Sequence, residues 1–390
     1  MNVSIFNGAG QADYLYGLVS GLIKTPVDKI DILDIDLSSY LFDNFEKVNF
    51  HAVYKYHKKG ASFYSKANNI LRFYYLQATH ILRGKKRIIH FQWLNRYYFT
   101  DRFMLPLLAR LRGHKVILTV HNVNSNKRDN HDSYYNRITL SLLYNLCNHL
   151  IVHTEGSKKE LIEDFKINPN KISVIKHGMN NKVTARGINQ LEARKELMIE
   201  QDLKVILFFG NIDYYKGLDL LVESISLLSE ELKREIILLI AGNYKSKDYI
   251  QQVNELIQNS PLQSQIIPEI KFIKDENVEK YFMASDCIVL PYRDIYQSGV
   301  LFMAYNFGLP TIATKVGNFE NDISEAKTGF ICPGIDTKSI AETIEKYFNS
   351  AIYEDLNTTR VSIREWSYKQ FSWDKIGEET HKLYLNQLNN

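Results

Sequence analysis

The sequence predicts an α/β protein made of two doubly wound domains, and three observations carry that expectation. The length of 390 residues exceeds what one hydrophobic core usually supports, while 45% hydrophobic and 24% charged residues are ordinary for a globular chain. Short, β-branched, nearly all-apolar runs alternate with helix-length segments, which is the pattern of parallel strands buried on both faces. A polar stretch, MNNKVTARGINQ at 179–190, interrupts the series and places the boundary.

The first series of runs is VSIF at 3–6, IDILDID at 30–36, RIIHFQW at 87–93, KVILTVHN at 115–122, HLIVHT at 149–154 and ISVIKHG at 172–178. The second is KVILFFG at 204–210, EIILLIAG at 235–242, EIKFI at 269–273, CIVLPY at 287–292 and PTIAT at 310–314. One intervening segment, KGLDLLVESISLLSEEL, puts Leu218, Leu221, Val222, Ile225 and Leu228 on one helical face, so it reads as an amphipathic crossover helix. These elements give a Rossmann-like domain over 1–178 and a second over 190–370. A C-terminal helix over 371–390 comes too late to add a strand and is expected to pack back across the boundary. A ligand is expected between the domains, at the carboxyl ends of strands.

Charge is distributed unevenly. Residues 1–190 hold 27 lysines and arginines against 14 acids, a net +13, and the remainder carries −9, although the whole chain is only +4. From Lys47 to Thr100 there are eleven basic residues and no acid, interleaved with Phe50, Tyr54, Tyr56, Phe63, Tyr64, Phe73, Tyr74 and Tyr75. That segment is either a solvated basic face or a surface that settles on anionic lipid headgroups, where basic residues and aromatics both gain. The aromatics could also stack on bases, but no nucleic-acid motif accompanies them, and no nucleic acid partner is expected. The N-terminus lacks the pattern of a signal peptide, and no run reaches the ~18 apolar residues of a spanning helix. The expectation is a cytoplasmic protein held peripherally at the inner face of a membrane. Cys147, Cys287 and Cys332 lack paired or metal-ligand spacing and read as buried residues in a reducing compartment.

Gly8 and Gly10 follow the first strand but lack the third glycine of a dinucleotide fingerprint. They read as a loop that meets a diphosphate or acceptor, as a dinucleotide site of an oxidoreductase, or as a structural turn. In FFGNIDYYKGLDLL the strand ends in Gly210, Asn211 comes next, and Lys216 stands just before the helix opens at Gly217. A cation at the positive end of a helix is unfavourable unless an anion is near, which suits a diphosphate. In PYRDIYQSGVLFMAYNFGLPTIAT, Ser298 and Gly299 make a helix start with free N–H groups. Gln297 and Tyr305 stand eight residues apart, roughly 12 Å along a helix axis.

Together these motifs, with IHFQW at 89–93, LTVHNV at 118–123 and VIKHGMN at 174–180, resemble the family 4 glycosyltransferases of the GT-B fold over nearly the whole chain. The resemblance implies a retaining, metal-independent enzyme that moves a sugar from a nucleoside-diphosphate sugar to a lipid-linked or other membrane-bound glycan, as in surface polysaccharide assembly, with no further cofactor. It assigns Lys216 to the donor phosphates and His121 to the transferred sugar. The family's arginine after the strand-end glycine is Asn211 here, and Arg293 is the expected replacement. The family's paired glutamates correspond to Gln297 and Tyr305. Gln297 retains a hydrogen bond to a sugar hydroxyl and Ser298, Gly299 and Val300 retain their backbone amides, while Tyr305 has no carboxylate for ribose hydroxyls. A QSGV variant resembles one branch of the family. The alternatives are a non-catalytic sugar-nucleotide or glycan-binding relative, and a dinucleotide-dependent oxidoreductase. Two lookalikes are set aside as metal sites: Asp34 and Asp36, far from the lysine motif, and His51, His57 and His80, with no carboxylate or cysteine near them in sequence.

Overall fold

The structure is a computed structural model that describes all residues except 9, 56–61, 95–96, 129–131, 180–186 and 390. Tyr56, His57, Lys58 and Lys59 of the basic segment, and most of the junction at 179–190, lie outside the described residues. The chain divides into two compact units, Met1–Gly178 joined by Phe371–Asn390, and Met179–Gln370.

The first unit holds seven parallel strands, β1 (Asn2–Phe6), β2 (Lys29–Ile35), β3 (Val48–Tyr54), β4 (Ile88–Phe91), β5 (Lys115–Thr119), β6 (His149–Val152) and β7 (Ile172–Val174), in the order β3-β2-β1-β4-β5-β6-β7. The second holds six, β8 (Lys204–Phe209), β9 (Ile236–Ala241), β10 (Ile266–Glu269), β11 (Cys287–Leu290), β12 (Thr311–Thr314) and β13 (Gly329–Cys332), in the order β10-β9-β8-β11-β12-β13. Both are Rossmann-like. In each, two strands are laid to one side of the first strand before the fourth is laid to the other. The chain therefore reverses direction between β1 and β4, and between β8 and β11, and a crevice opens at the carboxyl ends there.

Burial explains why these runs became strands. All six residues of β9 are buried, as are the four of β4, β6, β11 and β12. Each Val, Leu or Ile so removed from water contributes about 1.5–3 kcal/mol. All three cysteines are buried and unpaired.

The structure departs from the pattern at four places. β3 was not legible as a strand because Asn49 and His51 interrupt its apolar run. It is an edge strand, and both side chains reach Asp31 on β2, at 3.2 and 3.3 Å. His51 and His80 thus do have a carboxylate near them in space, although none is near in sequence; Arg87 also donates to Asp31, at 2.9 Å. β10 begins earlier than the EIKFI run, and Phe272 within that run is 73% exposed. This strand tolerates Pro268 because it lies at the sheet edge. β13 is a four-residue strand that opens on a glycine, too short to stand out. The segment after Gly217 is not one helix: it ends at Ile225 and a second short helix starts at Glu230, capped by Ser229.

Five helices frame the candidate site and its surroundings: α1 (Ala12–Leu22), α2 (Phe63–Arg83), α3 (Leu218–Ile225), α4 (Gly299–Asn306) and α5 (Trp373–Asn389). The chain returns to its first unit through α5, which lies on α1. The approach is close because both helices have glycine at the contact: a Cβ on Gly21 would stand 2.0 Å from the Trp373 carbonyl oxygen, and one on Gly377 2.4 Å from the Gly21 carbonyl carbon. Trp373 is buried beside them, and Tyr384 carries its hydroxyl to His90, 2.5 Å away. Gly21→Val should therefore destabilise the first unit by about 1–3 kcal/mol through overpacking. Urea unfolding followed by tryptophan fluorescence measures this, and an unmoved midpoint would refute the α1–α5 contact.

Candidate functional site

In the second unit, the loops that leave β8 and β11 meet at the reversal point. β8 is followed directly by Gly210 (φ 104°), and a short turn capped by Asp213 delivers Lys216 and then Gly217, which is left-handed (φ 66°) and opens α3. The loop after β11 is tied to this turn. Arg293 N–H donates to the Tyr215 carbonyl at 2.7 Å. Its guanidinium donates to the Tyr214 carbonyl at 2.9 Å and grips Asp219 with two bonds of 2.8 and 2.6 Å.

Lys216 is the outlier of this arrangement. Its side chain is buried, with Nζ 5.3 Å from the centre of the Tyr292 ring. Among the described residues no carboxylate stands within ion-pairing distance of it. Burial pushes its pKa down, opposed more weakly by Tyr215 and Asp213. A Cβ on Gly210 would meet Nζ at 3.0 Å and the Val300 side chain at 3.3 Å, so the glycine leaves open the space where the ammonium meets the start of α4. Ser298 caps that helix by accepting from the Leu301 N–H, and nothing lies within 4 Å of where a Gly299 side chain would begin. Gln297 donates through Nε2 to buried Asp322 at 3.3 Å, while its Oε1 is buried with no hydrogen-bond partner among the described residues. Asn211 is exposed.

Two expected donor residues do other work. Tyr305 is fully buried, its hydroxyl donating to the Asp322 carbonyl at 2.6 Å, so it belongs to the core beneath α4 and cannot reach a ribose. Arg293 is no free diphosphate cation, because its fork is engaged by Asp219; it holds the two loops together instead.

In the first unit, the glycine loop after β1 closes on the chain itself. A Cβ on Gly10 would fall 1.6 Å from Trp93 Cδ1, and one on Gly8 (φ 59°) 2.7 Å from the Trp93 carbonyl oxygen. The Cβ side of both glycines is filled by Trp93, so the packing of the loop against this residue by itself requires glycine at these two positions. Asp34 likewise has a structural role, accepting from Asn7 and Ser38 at 2.9 and 2.8 Å.

The carboxyl ends of β4 to β7 collect a polar cluster. His121 stacks on Trp93 with centroids 4.8 Å apart and planes 6° apart, and meets the edge of Tyr14. Its Nε2 lies 3.2 Å from Gln92 Oε1 and its Nδ1 3.3 Å from His153 Nε2. His153 Nδ1 donates to the Ile175 carbonyl at 2.9 Å, and His177 Nδ1 lies 2.7 Å from the Gly178 carbonyl. Burial lowers all of these imidazoles: His90 and His153 to about 3, His177 to about 4, and His121 well below its usual value. Reasoning from sequence found only His121. The signal for the others was present, since the runs ending VHN, VHT and IKHG each place a histidine just past a strand.

Among its described residues the basic-aromatic segment forms β3, α2 and β4. The inward face of α2 carries Asn69, Phe73, Gln77 and Ile81. Outward, Tyr64, Leu71, Tyr75 and Leu82 recur at intervals of seven, four and seven residues and so fall on one line, all of them exposed. Lys66, Arg83, Lys85 and Lys86 are exposed on or just beyond the helix. None of the described helices is long and apolar enough to cross a membrane.

Comparison with known proteins places this architecture. The model of glycosyl transferases group 1 matches residues 189–365, and that of glycosyltransferase family 4 matches residues 12–182. An uncharacterized glycosyltransferase of Methanocaldococcus jannaschii is 23% identical over 242 residues, 60% of this chain and 59% of that protein. A D-inositol 3-phosphate glycosyltransferase of Corynebacterium efficiens is 24% identical over 301 residues, 75% of this chain and 67% of that protein. The chain thus spans 59–67% of the length of these relatives. Among solved structures, Anabaena HepE in complex with UDP-glucose shares the fold with a TM-score of 0.73 at 12% identity, covering 98% of this chain and 99% of that one. Two Rossmann-like units of this kind, matched unit by unit to glycosyltransferase models, have the GT-B fold. The chain belongs to the family 4 glycosyltransferases.

The buried histidines set how stability depends on pH. Each has a folded pKa below its unfolded value of 6.5, so its contribution is complete above that value and is lost as pH falls through the window from 6.5 toward 3. His90 and His153 should each cost about 1.4 kcal/mol of unfolding free energy per pH unit in that window. Urea midpoints of wild type and His153→Phe across this range should converge toward low pH; parallel curves would show that His153 takes up no extra proton on unfolding.

Proposed function

We propose that the chain transfers a sugar, with retention and without a metal ion, from a nucleoside-diphosphate sugar to a hydroxyl of a lipid-linked or other membrane-associated glycan, at the inner face of a membrane, as in surface polysaccharide assembly. The observation that carries this reading is the buried Lys216 ammonium beyond the end of β8, lacking a carboxylate partner among the described residues and lying beside the open start of α4. Burying a cation without a counter-charge is costly, and a diphosphate supplies the missing charge. HepE, which shares the fold, is described in complex with UDP-glucose, and this supports a donor of the same class.

In this reading Lys216 and the N–H groups of Gly299 and Val300 stabilise the diphosphate as the glycosidic bond breaks, a charge-stabilising role in a dry site. The departing phosphate takes the acceptor's proton, so no protein base is required. Gln297, with an unused buried oxygen, accepts from a sugar hydroxyl, and His121 meets the transferred sugar. The burial of Tyr305 leaves the ribose without a carboxylate partner at that position. It favours a second reading, a relative that binds sugar nucleotides without turning them over, and donor turnover separates the two.

Lys216→Ala should lower transfer by at least about a hundredfold while leaving the fold intact. In a metal-free thermal-shift screen, one nucleoside diphosphate should raise the melting temperature of wild type but not of the variant. Near-normal rates in folded Lys216→Ala would sink the assignment. For the membrane, the exposed line on α2 is the contact surface, because aromatics and lysines both gain at an anionic interface. Reversing the charges of Lys66, Lys85 and Lys86 should abolish sedimentation with anionic liposomes, and unchanged sedimentation removes this part of the reading. Arg87, already held by Asp31, is left out of that set.

A further inference from the structure

The histidine cluster of the first unit contains a one-way chain of hydrogen bonds. A backbone carbonyl can only accept. His153 Nδ1, 2.9 Å from the Ile175 carbonyl, must therefore carry a proton, and in the neutral ring Nε2 is then the bare nitrogen. Its surroundings keep the ring neutral: His153 is buried, and the groups that face it are the Tyr14, His121 and His177 rings, none of them anionic. The next contact, 3.3 Å from His153 Nε2 to His121 Nδ1, can be a hydrogen bond only if His121 donates. His121 is itself a neutral, desolvated ring, so its Nε2 is left without a proton.

The contacts beyond it fit this direction. Gln92 Oε1 lies 3.2 Å from His121 Nε2, and exchanging the two ends of the amide puts the nitrogen there and the oxygen toward His90 Nε2, 3.1 Å away, whose proton is then shared with Thr119 Oγ1 at 2.8 Å. His90 Nδ1 then accepts from the Tyr384 hydroxyl. With that exchange each ring nitrogen from His153 to His90 has a partner of the right kind. The opposite direction puts two lone pairs face to face at Ile175.

We propose that His153 is a positioning residue that holds His121 in its Nδ1–H tautomer, so that His121 meets the sugar through an unprotonated Nε2, as the acceptor of a hydroxyl hydrogen that takes the place of Gln92. The tautomer assignment stands on the hydrogen-bond geometry and on the burial that keeps the rings neutral; the contact with a sugar rests on the transferase reading above. The consequence is selectivity: the facing position of the sugar must carry a hydroxyl, and the contact does not titrate near neutral pH.

The test is long-range nitrogen–proton NMR on the full chain with labelled histidines. In wild type, His121 and His153 should both appear as neutral Nδ1–H tautomers, unchanged between about pH 6 and 8. An Nε2–H or doubly protonated His121 overturns the proposal. In His153→Phe, His121 should spread over both tautomers, and kcat should fall at least about tenfold, the direction expected when a ring is no longer held in one tautomer, with KM for the nucleotide sugar unchanged. An unaltered His121 signature or an unaltered kcat in that variant overturns it as well. Gln92→Glu supplies a second arm: its carboxylate should draw a proton onto Nε2 and make turnover pH-dependent, and a pH-independent Gln92→Glu enzyme counts against the assignment. If wild type shows the expected tautomer but no sugar transfer, the transferase reading fails and the tautomer assignment survives.

Discussion

A parallel strand covered by helices on both faces can offer polar groups only at its ends, and that constraint governs both units of this protein. Along β9 every side chain is buried, so nothing chemical can be placed there. The groups that could act on a ligand are displaced past the carboxyl ends: Lys216 beyond β8, Gln297 and Ser298 beyond β11, His121 beyond β5 and His153 beyond β6. The reversal of strand order then decides which of these ends come together, because the crossover helices diverge there and leave a crevice.

Within the second unit the same burial makes a single cation consequential. A lysine on an open surface is hydrated and asks for no partner, but Lys216 is desolvated by the loops that pack around it. What holds those loops is an ion pair on the outside of the turn, Arg293 with Asp219, backed by bonds to the carbonyls of Tyr214 and Tyr215. The positive charges at this site therefore differ in kind: Arg293 is paired and structural, while Lys216 has no carboxylate within ion-pairing distance among the described residues.

The first unit solves a different problem. Its glycine loop is closed by Trp93, which in turn stacks on His121, so a motif with the appearance of a phosphate cradle serves to seat an aromatic ring. Four histidines, a glutamine and two tyrosines then share a space that burial keeps uncharged. The return of α5 belongs to this arrangement, since Tyr384 ends the hydrogen-bond path at His90 and Trp373 meets the edge of Tyr14.

Alternation of apolar runs with amphipathic segments determined the fold class, most of the strands and the break near residue 179, because those properties depend on residues close together in the chain. It also marked Lys216, whose position just before a helix start is a local fact. The sequence did not disclose β3, whose polar residues answer a carboxylate on the neighbouring strand, nor the fates of Tyr305, Arg293, Gly8 and Gly10. Each of these depends on a partner distant in sequence: Asp322 beneath Tyr305, Asp219 against Arg293, Trp93 over the glycines. Whether a polar side chain faces a ligand or its own protein is decided by which distant residue occupies the space beside it, and only the folded chain fills that space.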